Sequence, residues 1–297
     1  MSFKDEERAA ETLSYISYYT VKEFARPFNK GDLEVVDYET KEFEHVISRY
    51  YQDKNFRIDL LHALEVIEVA VQTQIAYVLG KKTGDYGYLD FRLWADTNNS
   101  KEKIEKTQER ILKDIKYQVS KTKRSDPELS AKLEKGSNSQ YPPVWFATKM
   151  VMFGGLVQML DIMSKDNLKH IANYFGCKNN ELLSWMKCLN LVRNIAAHNS
   201  NLIDFQLRTV PIIRDEWKEY LYKREDNLIT NRIALPIIIT KYFINEIVPK
   251  YKFGKISNDM QNLIKKDKSM ANYYGFYDEN SMQLIHPVYK KRKFKRS

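Results

Sequence analysis

FRIDLLHALEVIEVAVQTQIAYVLG, residues 56–80, is the stretch that decides the fold. Its large apolar side chains recur at steps of three or four positions, at Phe56, Leu60, Leu64, Ile67, Val71 and Ile75. Because an α-helix turns once every 3.6 residues, this spacing puts all six on one face and predicts an amphipathic helix packed on a core. The next stretch, KKTGDYGYLD (81–90), contains two glycines and is predicted to end the helix.

The rest of the chain shows the same helical character. Ten Gly and eight Pro are few for 297 residues, so turns are sparse. Residues 5–28 predict a helix that Pro27 ends, residues 144–163 predict one or two buried pieces hinged at Gly154 and Gly155, and residues 179–198 predict another helix. An all-α fold is therefore expected.

The chain is long enough for a substantial core, since a protein of this size buries about 75% of its unfolded surface. We predict an N-terminal helical segment (1–50), a helical core (51–205) and a C-terminal helical segment with a basic tail (206–297). Within the core, the polar stretch SKTKRSDPELSAKLEKGSNSQ (120–140) is predicted to be a mobile insertion.

A net charge of +9 with 20 Tyr and 14 Phe favours RNA as a partner, because cations attract phosphate and flat rings stack on bases. The alternative is that the charge only keeps the protein soluble. Basic residues of the insertion and of the tail 290–297 are the predicted phosphate contacts, and a solvated loop and terminus are the alternative. They are Lys121, Lys123, Arg124, Lys290, Lys291, Arg292, Lys293, Lys295 and Arg296.

Several classes of protein are disfavoured. The five histidines have no metal-ligand spacing, and GxSxG, HExxH, Walker and GxGxxG sequences do not occur, so neither a metal nor a cofactor is expected. Cys177 and Cys188 form no disulfide framework. The start lacks an apolar leader and the longest apolar run, residues 233–239, is short of a membrane span, so we expect a cytoplasmic protein.

LVRNIAAHNS, residues 191–200, carries the candidate catalytic residues Arg193, Asn194 and His198. A histidine near neutral pH can take a proton from an RNA 2′-hydroxyl or give one to the leaving 5′-oxygen, and an arginine can hold the phosphate. Asn194 is expected to orient one of them, with a polar cap near a helix end as the alternative. This pattern predicts metal-independent RNA cleavage.

The Arg–His spacing alone is weak support. With 14 Arg and five His, chance gives about 0.24 such pairs at any one spacing, and Arg57 and His62 repeat it. Because Arg57 and His62 lie in an amphipathic helix and no amide follows the arginine, a structural role is predicted for them, with RNA contact or catalysis as the alternative.

Helix geometry adds a constraint. Five steps of 100° put Arg193 and His198 about 140° apart, whereas Asn194 and His198 share a face. Either the helix loosens near His198, or a second copy of it supplies half of the site in a two-fold dimer.

The motif resembles the RN-x-x-x-H signature of HEPN-type ribonuclease domains in the Abi family of bacterial abortive-infection proteins. Four other blocks are similar to that family in the same order. They are ISYYTVKEFARPF (16–28), FRIDLLHALEVIEVAVQTQIAYVLG (56–80), PPVWFATKMVMFGGL (142–156) and YYGFYDENSM (273–282).

The resemblance implies an all-α, HEPN-like helical bundle with additional helices, a homodimer that joins two motifs, and metal-independent endoribonuclease activity in anti-phage defence. It also implies a small noncoding RNA as a possible restraining partner, besides RNA as substrate. The alternative is a protein that binds a noncoding RNA without cleaving it. Tyr18 and Tyr19, the family's tyrosine pair, are interpreted as core residues, with base-stacking platforms as the alternative.

Three positions depart from the family pattern. Gln72 and Asn201 stand where the family has arginine, and Lys149 stands where it has glutamate. These departures predict that phosphate binding near the motif is reduced or has moved elsewhere.

Overall fold

The computed structural model describes residues 1–31, 37–38, 41–125, 127, 130, 133, 141–265 and 267–286, with the backbone alone for 123–125. Within these residues the regular structure is helical, strands are absent, and extended segments meet only in isolated β-bridges. The prediction of an all-α fold is confirmed.

The α-helices are α1 (Glu6–Tyr15), α2 (Tyr18–Ala25), α3 (Phe43–Thr83), α4 (Lys101–Ser125), α5 (Val144–Ala147), α6 (Phe153–Ile162), α7 (Lys165–Tyr174), α8 (Asn179–Ala197), α9 (Ala234–Ile247), α10 (Gly254–Ile264) and α11 (Met270–Tyr274). Short 3₁₀ helices lie at Arg26–Phe28, Gly87–Leu89, Phe91–Leu93, Thr148–Met150, Asp215–Tyr220 and Asn280–Ile285.

The chain forms two compact units. Unit 1 takes its residues from Met1–Ala63, Leu191–Tyr242 and Pro249–Ser297, and unit 2 from Leu64–Asn190 and Phe243–Val248. The helices α3, α8 and α9 contribute residues to both units. The division into three consecutive segments stays a prediction.

The apolar stripe predicted on α3 is confirmed, since its six members from Phe56 to Ile75 are all buried. The helix begins at Phe43, earlier than the stripe suggested. Its first part continues the same spacing with two charged residues, because Val46, Arg49 and Asp53 are also buried. Buried charges require partners, and both of these find them within unit 1.

By length and composition α3 is the one helix among the described residues that could cross a membrane, with a window of mean hydropathy 1.2. Half of that window is buried inside the protein, and core helices of soluble proteins pass the same test. The buried Arg49, Asp53 and Arg57 on this helix are each held by protein partners. The helix therefore gives no firm membrane signal.

In unit 2 the core is aromatic. The rings of Phe175 and Trp185 each meet Phe243 edge to face, with centroids 5.2 and 5.8 Å apart. At its surface, Asp161 of α6 accepts hydrogen bonds from Lys103 of α4 and Lys187 of α8. These two lysines link α4 and α8 to the same side of α6.

The predicted hinge at Gly154 and Gly155 is wrong. The chain breaks before them, at Val151 and the extended Met152, and both glycines lie in the first turn of α6. A Cβ at Gly155 would lie 2.6 Å from Cγ1 of Val151. Gly155 is thus explained by close packing rather than by flexibility.

In two further places the helices begin or end at different residues from those predicted. The helix predicted over 5–28 is divided, because Ile16 is extended and the Ser17 hydroxyl then accepts from the N–H of Tyr19 to start α2. Helix α4 runs to Ser125, so the first part of the predicted insertion is helical. Most of the remainder, up to 140, lies outside the described residues.

Gly275 ends α11 with a φ of 100° and a carbonyl that accepts from the N–H of Tyr222 at 3.0 Å. A Cβ at Gly275 would lie 2.7 Å from Oγ1 of Thr230. Gly84 is also left-handed, with φ 72°, but a Cβ there would meet nothing within 4 Å.

Gly275→Ala is expected to lower the free energy of unfolding by about 2–3 kcal/mol, because backbone strain and a steric clash add. Gly84→Ala is the matched control and should cost about 1 kcal/mol, since only the backbone is strained. Urea unfolding of the two variants measures both values. Equal losses would contradict the packing role of Gly275.

Candidate active site

The three residues of the motif lie on the last turns of α8. The helix ends at Ala197, and the chain turns at Asn199, whose φ of 57° is left-handed. The N–H of Ser200 donates to the carbonyl of Ile195 and the N–H of Asn199 to that of Ala196, at 3.2 and 3.4 Å. These two bonds form a Schellman motif, in which asparagine tolerates the left-handed position. The helix therefore has a defined stop just after His198.

The two faces of this helix end differ. Val192 and Ala196 are buried, whereas Asn194 and His198 are exposed and Arg193 is half-buried. None of the three polar side chains of the motif forms a hydrogen bond or an ion pair with another residue in the described part of the chain. All three are therefore free to contact a ligand.

The helix does not loosen before His198. The N–H of His198 still donates to the carbonyl of Asn194 at 3.0 Å, which is the regular helical bond. Arg193 and His198 thus keep their separation of about 140° around the helix axis. Of the two arrangements considered from the sequence, the first is not found.

The segment after the motif is fixed to α3 by a buried carboxylate. Oδ1 of Asp53 accepts from the backbone N–H groups of Leu202 and Ile203 at 2.9 and 3.0 Å, and Oδ2 accepts from Nε of Arg57 at 2.7 Å. Burial raises the pKa of the Asp53 carboxyl, while Arg57 and the two amides act in the opposite direction. These donors compensate the cost of placing a carboxylate inside the protein.

A second buried ion pair holds the next residue of this segment. The guanidinium of Arg49 forms a two-pronged pair with the carboxylate of Asp204 and donates to the carbonyl of Phe24 at 2.9 Å. Burial lowers the pKa of Arg49, but the bonds to Asp204 and Tyr274 outweigh it and raise the pKa above its ordinary value. The Nδ2 of Asn201 also donates to Asp204, at 2.7 Å.

Three residues that position the motif were not identified from the sequence, namely Arg49, Asp53 and Asp204. A signal existed for the two on α3, because Arg49 and Asp53 continue the apolar stripe at the same steps of three and four as Phe56 and Leu60. Charged residues inside a buried stripe indicate a buried pair.

Arg57 and His62 have different surroundings. Arg57 is buried against Asp53, whereas His62 is exposed with its Nδ1 2.6 Å from the hydroxyl of Tyr251. The structural role predicted for Arg57 is confirmed. Asp59, which stands between Arg57 and His62 in the sequence, affects another carboxyl group. Burial first, and then the Asp59 carboxylate, raise the pKa of Asp259 to about 6.

A sequence model of the family described as Abi-like protein matches residues 11–204, a range that contains the motif and the segment that Asp53 and Arg49 hold. The chain belongs to the Abi-like protein family. The family supports a role in abortive infection, a form of antiviral defence. No curated protein and no solved structure matches the chain.

In this Abi-like protein the three departures from the family pattern have structural settings. Nε2 of Gln72 donates to the carbonyl of Val151 at 3.4 Å, and Lys149 is exposed. Asn201 is half-buried and bonded to Asp204 through both its carbonyl oxygen and its amide nitrogen. None of these three residues adds a free guanidinium beside the motif.

The predicted RNA contacts stay predictions. Lys121 is exposed on α4, whereas the side chains of Lys123 and Arg124 lie outside the described residues. So do the six basic residues of the tail, Lys290, Lys291, Arg292, Lys293, Lys295 and Arg296. Tyr18 and Tyr19 are exposed by 62% and 78%, so their interpretation as core residues is wrong, and base stacking stays a prediction.

The described residues contain no group of three or more His, Cys, Asp or Glu side chains placed to hold a metal ion. Cys177 and Cys188 are both buried and are not joined in a disulfide, and burial raises the pKa of the Cys188 thiol to about 12. A thiol in this state is a packing residue rather than a nucleophile.

Asp53→Ala is expected to lower the free energy of unfolding by about 3–5 kcal/mol, because it leaves Arg57 buried and two amides without acceptors. Asp53→Asn should cost less, since its carbonyl oxygen still accepts from the amides. Lys106→Ala, which removes an exposed partner of Glu102, is the control and should change stability by less than about 1 kcal/mol. Urea unfolding measures all three, and a loss for Asp53→Ala as small as that of the control would refute this role.

Proposed function

We propose that this Abi-like protein is a metal-independent endoribonuclease of the HEPN type that acts in abortive infection. The observation that carries the proposal is the end of α8. Arg193, Asn194 and His198 stand there on a rigidly held helix end without a partner in the described structure. A polar set with no structural use, kept in place by buried ion pairs, is a candidate for chemistry.

In the proposed reaction the RNA 2′-hydroxyl attacks the adjacent phosphorus, and the bond from phosphorus to the 5′-oxygen breaks. His198 takes the proton of the 2′-hydroxyl, and a second imidazole donates a proton to the leaving 5′-oxygen. Arg193 stabilises the charge that develops on the phosphate. Asn194 lies on the same face as His198 and orients one of these two side chains. The products are a 2′,3′-cyclic phosphate and a 5′-hydroxyl.

The second imidazole is supplied by a homodimer. Because α8 stays helical through the motif, one copy cannot easily direct both Arg193 and His198 at one phosphate. A two-fold axis beside the ends of two α8 helices would bring Arg193 of one subunit next to the partner subunit's His198. This arrangement also provides one acid and one base.

The net charge of +9 is compatible with a small noncoding RNA that restrains the enzyme, and with a cytoplasmic location where host RNA is accessible.

A second function is favoured by the departures from the family pattern. With Gln72 and Asn201 occupied by internal bonds, the protein could bind a noncoding RNA in a ribonucleoprotein without cleaving it.

The first experiment incubates the purified protein, freed of nucleic acid, with single-stranded RNA in EDTA. Cleavage is expected, with 2′,3′-cyclic phosphate and 5′-hydroxyl ends, and His198→Ala should lower its rate at least about 100-fold. His62→Ala is the matched control, since it has the same spacing from an arginine, and should keep full activity. Tight RNA binding without cleavage products would overturn the proposed nuclease activity and would support the second function, a ribonucleoprotein that does not cleave RNA.

A mixing experiment tests the composite site. Native protein is mixed with an equal amount of protein that carries both Arg193→Ala and His198→Ala, so that a mixed dimer has one intact motif but neither a second imidazole nor an arginine opposite its histidine. Random exchange of subunits puts half of the native subunits into mixed dimers, so the activity should fall to about half of its value before exchange. Dimerisation of the variant is verified by sedimentation, and activity that the exchange leaves unchanged would place the whole site within one subunit.

A further inference from the structure

Unit 1 contains a cavity of about 450 Å³ that the motif does not use. Its lining includes Tyr222, Arg224, Asn231, Arg232, Asn272 and Tyr273. The volume lies in the range of small-molecule sites, about 300–1,000 Å³. Two guanidinium groups, two phenol rings and side-chain amides thus surround one space.

The cavity is built on a set of backbone bonds between extended segments. The N–H of Thr230 donates to the carbonyl of Tyr222, and the N–H of Tyr222 to that of Gly275, at 2.9 and 3.0 Å. Asn227, with φ 60°, closes the turn that carries Arg224. These backbone bonds join the segments that carry Tyr222, Arg224 and Thr230.

The two arginines differ in how they are held. Nη1 of Arg232 donates to the carbonyl of Asp204 at 3.2 Å, and its guanidinium lies 4.4 Å from the centre of the Tyr273 ring. It has no carboxylate partner among the described residues. Arg224 pairs with Asp226, but both side chains are more than 40% exposed, so this pair costs little to exchange for another anion.

The lining predicts the chemistry of a ligand. It includes no acidic side chain, so a metal ion or a cationic ligand is disfavoured. Guanidinium groups match phosphate oxygens, phenol rings stack on bases, and amides offer both donors and acceptors to base edges. A nucleotide needs all three.

We infer that this cavity binds one nucleotide of a single-stranded RNA, with phosphate on Arg224 and Arg232 and the base against the tyrosines. Gln206, which also lines the cavity, follows Asp204 by two residues, so the segment that leaves the motif leads into this wall. A strand is favoured over a free nucleotide because Gln206, Arg224 and Asn272 are exposed and leave the cavity open to solvent. The choice of RNA rests on the proposed function, but the cavity does not require cleavage.

The test measures RNA binding in a His198→Ala background, so that cleavage does not interfere. Fluorescence anisotropy follows the binding of labelled 12-nucleotide oligouridine and oligoadenosine at several salt concentrations. Arg224→Ala is expected to weaken binding about tenfold and to reduce the slope of log affinity against log salt by about 0.7, the value for one phosphate contact with a single strand. The neighbouring Lys223→Ala is the matched control and should change the affinity by less than about twofold, because Lys223 is exposed and does not line the cavity.

A second variant guards against a simple loss of fold. Asn272→Asp puts a carboxylate on the exposed rim of the cavity and removes no cation, so it should weaken RNA binding as Arg224→Ala does. Circular dichroism and thermal unfolding must match the parent protein. If Arg224→Ala and Asn272→Asp bind RNA as Lys223→Ala does, the inference is overturned.

A further experiment distinguishes a nucleotide within an RNA strand from a free nucleotide. It measures the binding of millimolar uridine monophosphate and adenosine monophosphate by saturation-transfer NMR. Weak binding that competes with RNA and is lost in Arg224→Ala supports a strand in the cavity. Nucleotide binding that is lost in Arg224→Ala while RNA binding is unchanged would instead identify a free nucleotide and overturn the strand. RNA binding as inferred, in a protein whose native form does not cleave RNA, would overturn the proposed nuclease alone.

Discussion

The carboxylate of Asp53 is the interaction on which the candidate site depends. It is fully buried, and its three hydrogen-bond donors come from Arg57 on the same helix and from Leu202 and Ile203, 149 and 150 residues away along the chain. A buried charge is tolerated only where donors surround it, so the chain after α8 must pass this point of α3. The end of α8, and His198 with it, is fixed as a consequence.

Much of the fold could be predicted from local pattern. The α3 stripe, the end of α3 near Gly84 and the helical character of 179–198 follow from spacing and from glycine chemistry. The partners of Arg49 and Asp53 could not be predicted, because nothing in a single sequence shows that Asp204 lies beside Arg49. The glycines at 154 and 155 misled because glycine permits either a bend or a close contact, and only the neighbouring side chains decide between them.

The candidate site could be predicted from the sequence more completely than the residues that hold it in place. Arg193, Asn194 and His198 form a local motif whose chemistry can be read from residue types. The network that holds them is made of long-range pairs, and its members are buried. Tyr18 and Tyr19 show the opposite error, since aromatic residues were assigned to the core by type although their rings are exposed.

Asp204 contacts residues of both the motif's support and the cavity, through two different groups. Its carboxylate is neutralised by Arg49, while its backbone carbonyl accepts from Arg232. Without Arg49, the carboxylate of Asp204 would lack its ion-pair partner and could compete with a phosphate for Arg232.

The regular geometry of the end of α8 bears on the proposed dimer. Rotating Arg193 and His198 onto one side within a single copy would break the bond from His198 to Asn194 and the Schellman bonds that follow, each of them a regular backbone bond. A second copy of the helix end requires none of these losses, and that is the physical argument for a shared site.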